Sequence, residues 1–342
     1  MLKIFQSIFG GPDSAGRHPD ALIEMATERA IDGLYPRLRL LPGYRRQLRE
    51  PVCTALDHVV ALIDAFPAPL AARSANYAQS PLLTALFAAP EQMREVFASD
   101  PALGEFRAGH PGGEPVTALL LAECREKNTL GMALEGEMLR RDVAQVTVSF
   151  ARHRLADPAA SEGETRRQLK RRAFDHLVGL ALWRVSEARS ERVELNQQRD
   201  LLRNKLGILQ RGGWSFAEAA AEPVDALALQ AELDQLEAQL AGLPIDERNM
   251  GGQLDILCEV LAGAERQLWA TPGELYLDRM NVKRDAGHPD ARPIRFTELH
   301  NARGERLAML LLTLDPQELP APESFSAQAD RLLAGLGPAR PH

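Results

Sequence analysis

Apolar positions along this chain recur at two spacings, and the changes between them divide it. From Pro19 to Arg107 the spacing is helical. Leu22, Met25 and Ala26 begin one stripe, which stops near Tyr35-Pro36. Tyr44 to Phe66 carries a second, with Leu56, Val59, Val60 and Ile63 on one face, and Pro67 and Pro69 end it. Ser80 before Pro81 predicts an N-cap followed by proline at the first helical position. Pro90 and the pair Asp100-Pro101 punctuate two further short helices, and His110-Pro111-Gly112-Gly113 reads as a linker.

The period then falls to two. Val146, Val148 and Phe150 alternate with Gln145, Thr147 and Ser149, the mark of a half-buried strand. Leu130, Met132 and Leu134 alternate in the same way. With Val116 to Glu123, these runs predict a three-stranded antiparallel meander turning at Lys127-Asn128 and Glu135-Gly136-Glu137. The run Val116–Glu123 also suits a helix, because a short apolar run has no decisive period. Strand patterns return at Glu274 to Val282, Ile294 to Leu299 and Arg306 to Leu314, the last two flanking a turn at Asn301-Ala302-Arg303-Gly304. Three strands make a thin sheet, so the two β-rich regions are expected to join in one.

Between them lies a heptad pattern. Phe174, Val178, Ala181, Val185, Ala188, Arg192, Leu195, Arg199, Leu202, Leu206 and Leu209 follow a four-then-three spacing, apolar except at the two arginines. Gly212-Gly213 interrupts it, and Ala226, Leu229, Leu233, Leu236, Leu240 and Leu243 resume it up to Pro244. Residues 161–211 hold twelve cations and seven acids, a net of +5, whereas residues 212–250 hold one cation and eight acids, a net of −7. Opposite charge on two arms joined by a glycine turn predicts an antiparallel coiled-coil hairpin within one chain. Pairing each arm with its copy in a dimer would set like charges together. The apolar excess from Phe174 to Trp183 is expected to pack inward, and Leu254, Leu257, Leu261, Ala264 and Leu268 predict a return helix.

The expected fold is therefore α+β and predominantly helical. An amphipathic tail (1–16) precedes a helical domain (17–112), and an antiparallel β-sheet domain formed by 113–160 and 270–320 is interrupted by the hairpin and return helix (161–269). Residues 321–342 form a C-terminal helix and tail. In the tail, Leu2, Phe5 and Phe9 have helical spacing, but one lysine is too little charge for electrostatic attachment to a membrane, so a terminal packed helix is expected.

Composition narrows the class without naming an activity. With 45% apolar and 25% charged residues in 342, the chain is neither disordered, collagen-like nor a disulfide scaffold. No apolar run approaches the roughly 20 residues of a membrane-spanning helix, and the N-terminus lacks the apolar core of a secretion signal. Three scattered cysteines, Cys53, Cys124 and Cys258, have no metal-type spacing and suit a reducing cytoplasm. The net charge is −7, and 35 of the 40 cations are arginine.

Candidate chemistry is sparse. The chain has no phosphate-cradling glycine loop, no G-x-S-x-G elbow and no H-E-x-x-H. Asp57-His58 and Asp175-His176 are adjacent on helices and so do not face each other. Glu298 and His300 share one face of their strand, as metal ligands can, with no third ligand evident. The densest basic cluster is Arg166, Arg167, Lys170, Arg171 and Arg172, a candidate anion or nucleic-acid patch on a chain that is acidic overall. The leading expectation is a non-catalytic cytoplasmic adaptor or scaffold. It needs no cofactor, metal or catalytic residue, and it presents the hairpin to another protein or to a second copy of itself. The alternatives are an enzyme using Glu298, His300, Asp278 or Tyr276, and nucleic-acid binding through the basic cluster.

Overall fold

The computed structural model describes residues 18–110, 113–135, 138–210, 226–243 and 250–319. The amphipathic tail, the hairpin turn at Gly212-Gly213 and the C-terminal segment lie outside them. The fold is α+β and mostly helical, with one six-stranded sheet.

The helices are α1 (Asp20–Leu34), α2 (Tyr44–Asp64), α3 (Ser74–Tyr77), α4 (Pro81–Leu86), α5 (Pro90–Ser99), α6 (Pro101–Gly109), α7 (Glu162–Gln210), α8 (Ala226–Gly242), α9 (Gly251–Ala262) and α10 (Ala264–Gln267). The strands are β1 (Leu70–Ala71), β2 (Val116–Glu135), β3 (Met138–Ala159), β4 (Leu268–Leu277), β5 (Arg292–Asn301) and β6 (Arg306–Leu314). Two compact units emerge, one formed by Met1–Val59 with Arg172–Gln267, the other by Val60–Arg171 with Leu268–His342. The helical segment 17–112 is thus shared between them: α1 and most of α2 belong to the first unit, α3 to α6 to the second.

In the second unit the sheet order is β3-β2-β6-β5-β4, with β1 parallel to β6. The pairing of β2 with β6 joins the two β-rich regions of the sequence, from Val116↔Leu314 to Ala122↔Ala308. The expected meander is instead a single long hairpin. Val116–Glu123 and Leu130–Glu135 are one strand, and Lys127-Asn128 pairs with Val146-Thr147 rather than turning. Asn128 is a turn-favouring residue, but continuous pairing with β3 holds it in the strand, and the Thr147 hydroxyl also donates to the Lys127 carbonyl at 3.2 Å.

Strand β3 keeps pace with β2 through three bulges. The register shifts opposite Thr117/Leu119, Leu121/Glu123 and Gly131/Ala133 coincide with Asp157, Arg152 and Asp142, all at positive φ. Each extra residue raises the local twist and re-aims its neighbours. After the bulge at Arg152, His153 stacks on Phe87, with ring centroids 4.7 Å apart.

The sheet has two covered faces. Val116, Ala118, Leu120, Ala122, Leu310 and Leu312 meet Leu83, Phe87, Met93, Phe97 and Leu103 from the short helices. Leu119, Leu121, Met309 and Leu311 meet Ile63, Phe66 and Leu169. Proline and cap chemistry place the short helices as expected. Ser80 accepts from the Leu83 N–H, and one Asp100 oxygen accepts from the Ala102 and Leu103 N–H groups. The other Asp100 oxygen accepts from the Leu155 N–H at 2.7 Å, fastening α6 to β3.

In the first unit, Gly33 lets α1 approach α7, since a Cβ there would lie 2.8 Å from Val178 Cγ1. Pro51 inside α2 cannot donate to the Gln47 carbonyl. The Cys258 thiol of α9 donates to that carbonyl at 3.9 Å, and the Gln47 amide donates to Asp255 at 2.8 Å. The return helix is shorter than expected: α9 ends at Ala262, α10 follows, and Leu268 already begins β4.

The hairpin is intramolecular. Leu202 and Leu206 of α7 pack with Leu233 and Leu236 of α8, with Leu195 and Leu229 at the margin. Arg203 pairs with Glu237 at 2.5 Å, while Leu243 shares a cleft with residues 187–194. Partner numbers fall on α7 as they rise along α8, so the arms are antiparallel.

Candidate functional site

The basic cluster opens α7, and most of its charge is engaged within the chain. Arg166 donates to the carbonyls of Ile63 (2.6 Å), Phe66 (2.9 Å) and Pro67 (3.1 Å), and pairs with Glu162 at 2.7 Å. It therefore satisfies carbonyl groups at and beyond the C-terminus of α2, which have no partner within that helix. Lys170 is buried and meets Asp64 at 2.8 Å, and Arg167 meets Glu164 at 2.6 Å. Arg171 and Arg172 are the exposed members.

The four residues weighed for catalysis do not gather. Pairing sets Glu298 opposite Thr271, and Tyr276 opposite Pro293 at the far end of β4. Asp278 organises the turn after β4, accepting from the Met280 N–H (2.8 Å), the Val282 N–H (3.0 Å) and Arg284 (2.9 Å). Burial alone would raise its pKa, but these donors together hold the carboxyl below the usual range. Glu298 and His300 do share a face. His300 Nε2 lies 2.9 Å from Thr271 Oγ1 and 3.4 Å from Glu298, with its ring stacked on Trp269. Both neighbours approach the same ring nitrogen. A nucleophile–base–carboxylate relay needs opposite nitrogens, so this group is not arranged as one. Among the described residues no three His, Cys, Asp or Glu side chains are placed to hold a metal ion.

Burial disfavours the thiolate of all three cysteines. Burial pushes the thiols of Cys124 and Cys258 up to about 11, and burial also raises that of Cys53. Cys53 lines a cleft of about 590 Å³ with Asp20, Arg49, Asp57 and His18. There His18 Nε2 stands 2.8 Å from the Asp57 carboxylate without hydrogen-bond alignment.

The unusual surface belongs to the hairpin. Phe174, Leu177, Val178, Leu180 and Ala181 are buried, as the apolar excess predicted, but Leu182 and Trp183 remain at the surface. Farther out, Val193, Leu201, Ile208 and Leu227 are more than half exposed. A second cleft, of about 630 Å³, is lined by Arg184, Glu187, Ala188, Glu191, Glu194, Leu243, Ile256 and Glu259 among others. Arg184 and Glu259 pair across it at 3.1 Å. Tracing only the seam overlooks this surface; the signal was present in the large apolar residues that fall off the four-then-three spacing.

No known protein family, curated protein or solved structure matches the chain. No helix among the described residues is long and apolar enough to cross a membrane.

Proposed function

We propose that this protein is a non-catalytic interaction protein of the cytoplasm, an adaptor or scaffold, whose α7–α8 hairpin binds a protein partner. The observation that carries this reading is the row of large apolar side chains exposed on the hairpin. Leu182, Trp183, Val193, Leu201, Ile208 and Leu227 are between 38% and 81% exposed. The hairpin's own packing uses a different set, Leu202, Leu206, Leu233 and Leu236. Large apolar side chains that a helix pair leaves outside its own packing are available for association. Support for nucleic-acid binding at the start of α7 is weaker, because Arg166 and Lys170 have structural partners.

Photo-cross-linking in the native host tests this reading. A photoreactive residue at Val193 or Ile208 should give a discrete protein adduct, and one at Leu40 or Met280, more exposed but off the hairpin, should not. Adducts from all four positions alike, or from none, would count against it.

A further inference from the structure

The exposed face of α7 has an order that specifies its partner's chemistry. Glu187, Glu191, Glu194, Gln198, Leu201, Lys205 and Ile208 follow the four-then-three spacing. Each stands one residue before a position of the heptad seam, hence 100° round the helix from it. All seven are exposed. They form a second, exposed stripe beside the first, acidic at its beginning and apolar toward its end, with no partner element among the described residues.

Its beginning is recessed. Glu187, Glu191 and Glu194 line the cleft whose other walls come from Leu243 at the end of α8 and Ile256 and Glu259 of α9. The lining thus offers apolar contact and carboxylates together. Arg184 is already paired with Glu259, and among the described residues no cation is paired with Glu187, Glu191 or Glu194. Three carboxylates that no cation pairs with among the described residues, set beside an apolar wall, suit a side chain with an apolar stem and a cationic head, as lysine and arginine have.

We infer that this stripe docks an amphipathic helix of a partner protein. Its Lys or Arg residues lie against Glu187, Glu191 and Glu194, and its apolar residues lie against Leu201 and Ile208. The inference rests on the interaction role proposed above and gives that role a partner chemistry. The spacing is that of a coiled-coil contact, so a helix can follow it over the whole length. From Glu187 to Ile208 the stripe runs about 32 Å, which a partner helix of roughly 20 residues covers. Lys205, between the two apolar positions, disfavours a helix that is basic throughout.

The test uses the full-length protein and two synthetic helical peptides of roughly 20 residues. One has a leucine seam flanked by lysine in one half and by glutamate and alanine in the other. Its counterpart has lysine and glutamate exchanged. Fluorescence anisotropy should show binding of the first peptide and at least about tenfold weaker binding of the second. Glu191→Lys with Glu194→Lys, and separately Leu201→Ser with Ile208→Ser, should each weaken the first peptide about tenfold. Glu95→Lys with Glu105→Lys makes the same change in net charge at exposed positions in the other compact unit, and should leave binding unchanged. Circular dichroism confirms that the variants are folded. Equal loss from both charge pairs would overturn the inference, as would indifference to the serine pair. So would a dimer of the protein that Glu191→Lys with Glu194→Lys disperses, since a second copy would then occupy the stripe. Failure here with persistent photo-cross-links from Val193 and Ile208 would discard the partner chemistry and leave the interaction role standing.

Discussion

Individual residues show how charge is used in this chain. Arg166 serves three main-chain carbonyls around the end of α2. Arg166→Ala should therefore lower stability by about 1–2 kcal/mol, the loss of charge-assisted hydrogen bonds to half-buried carbonyls, as read by urea unfolding. Lysine at this position cannot reproduce the planar fork and should restore only part of the loss. Asp278 gives a pH-dependent counterpart. Its carboxyl is held below the ordinary range in the folded chain, so its contribution is present above the unfolded-state pKa and is lost as pH falls through the folded one. The stability gap between the wild type and Asp278→Asn should be widest near neutral pH and close under acid, which thermal unfolding across pH would reveal. The thiols of Cys124 and Cys258, raised to about 11, should resist alkylation at pH 8 until the chain is unfolded. None of these roles was legible beforehand. The basic cluster was visible as composition, but its partners at Ile63, Phe66 and Asp64 lie about a hundred residues away, where no local pattern reaches.

At the scale of elements, legibility followed the strength of local signals. Proline and cap residues located the short helices, and the heptad spacing located both arms of the hairpin. Glycine at the φ of +77° that the β5–β6 turn requires placed that turn at Asn301–Gly304. No signal in the sequence marks the bulges formed without glycine: Asp142, Arg152 and Asp157 take the left-handed conformation within β3. That conformation costs a non-glycine residue about 1–2 kcal/mol. Arg152→Gly should therefore leave stability unchanged or raise it by up to about 1 kcal/mol, even though it removes the exposed contact with Glu123. Arg152→Val should lower it. The expected return helix ran into β4 because its apolar register continues to Leu268. On the hairpin, Leu236→Ala should cost about 2–4 kcal/mol in local stability, seen as faster hydrogen exchange across α8 and the facing residues of α7.

For the molecule as a whole, the division of charge and apolar surface matters more than the net charge of −7. The two arms of opposite sign pair with each other, so much of the arginine excess is answered within the chain. The chemistry weighed for the sheet is dispersed, with Asp278 and Tyr276 at one end and Glu298 and His300 at the other. The hairpin, by contrast, keeps apolar residues that its own packing leaves at the surface. The candidate site was half legible: the sequence located the element that carries it, but the stripe became visible only once the buried seam was fixed and the remaining apolar residues were seen to stay outside it.

The most direct test of the interaction role is the mass of the intact complex recovered with the protein from its native host, compared with that from the triple variant Val193→Ser, Leu201→Ser, Ile208→Ser. The wild type is expected in a complex of defined stoichiometry with another protein, and the folded variant alone. A wild-type protein recovered without a partner, or a complex that the triple variant retains in full, would contradict the account.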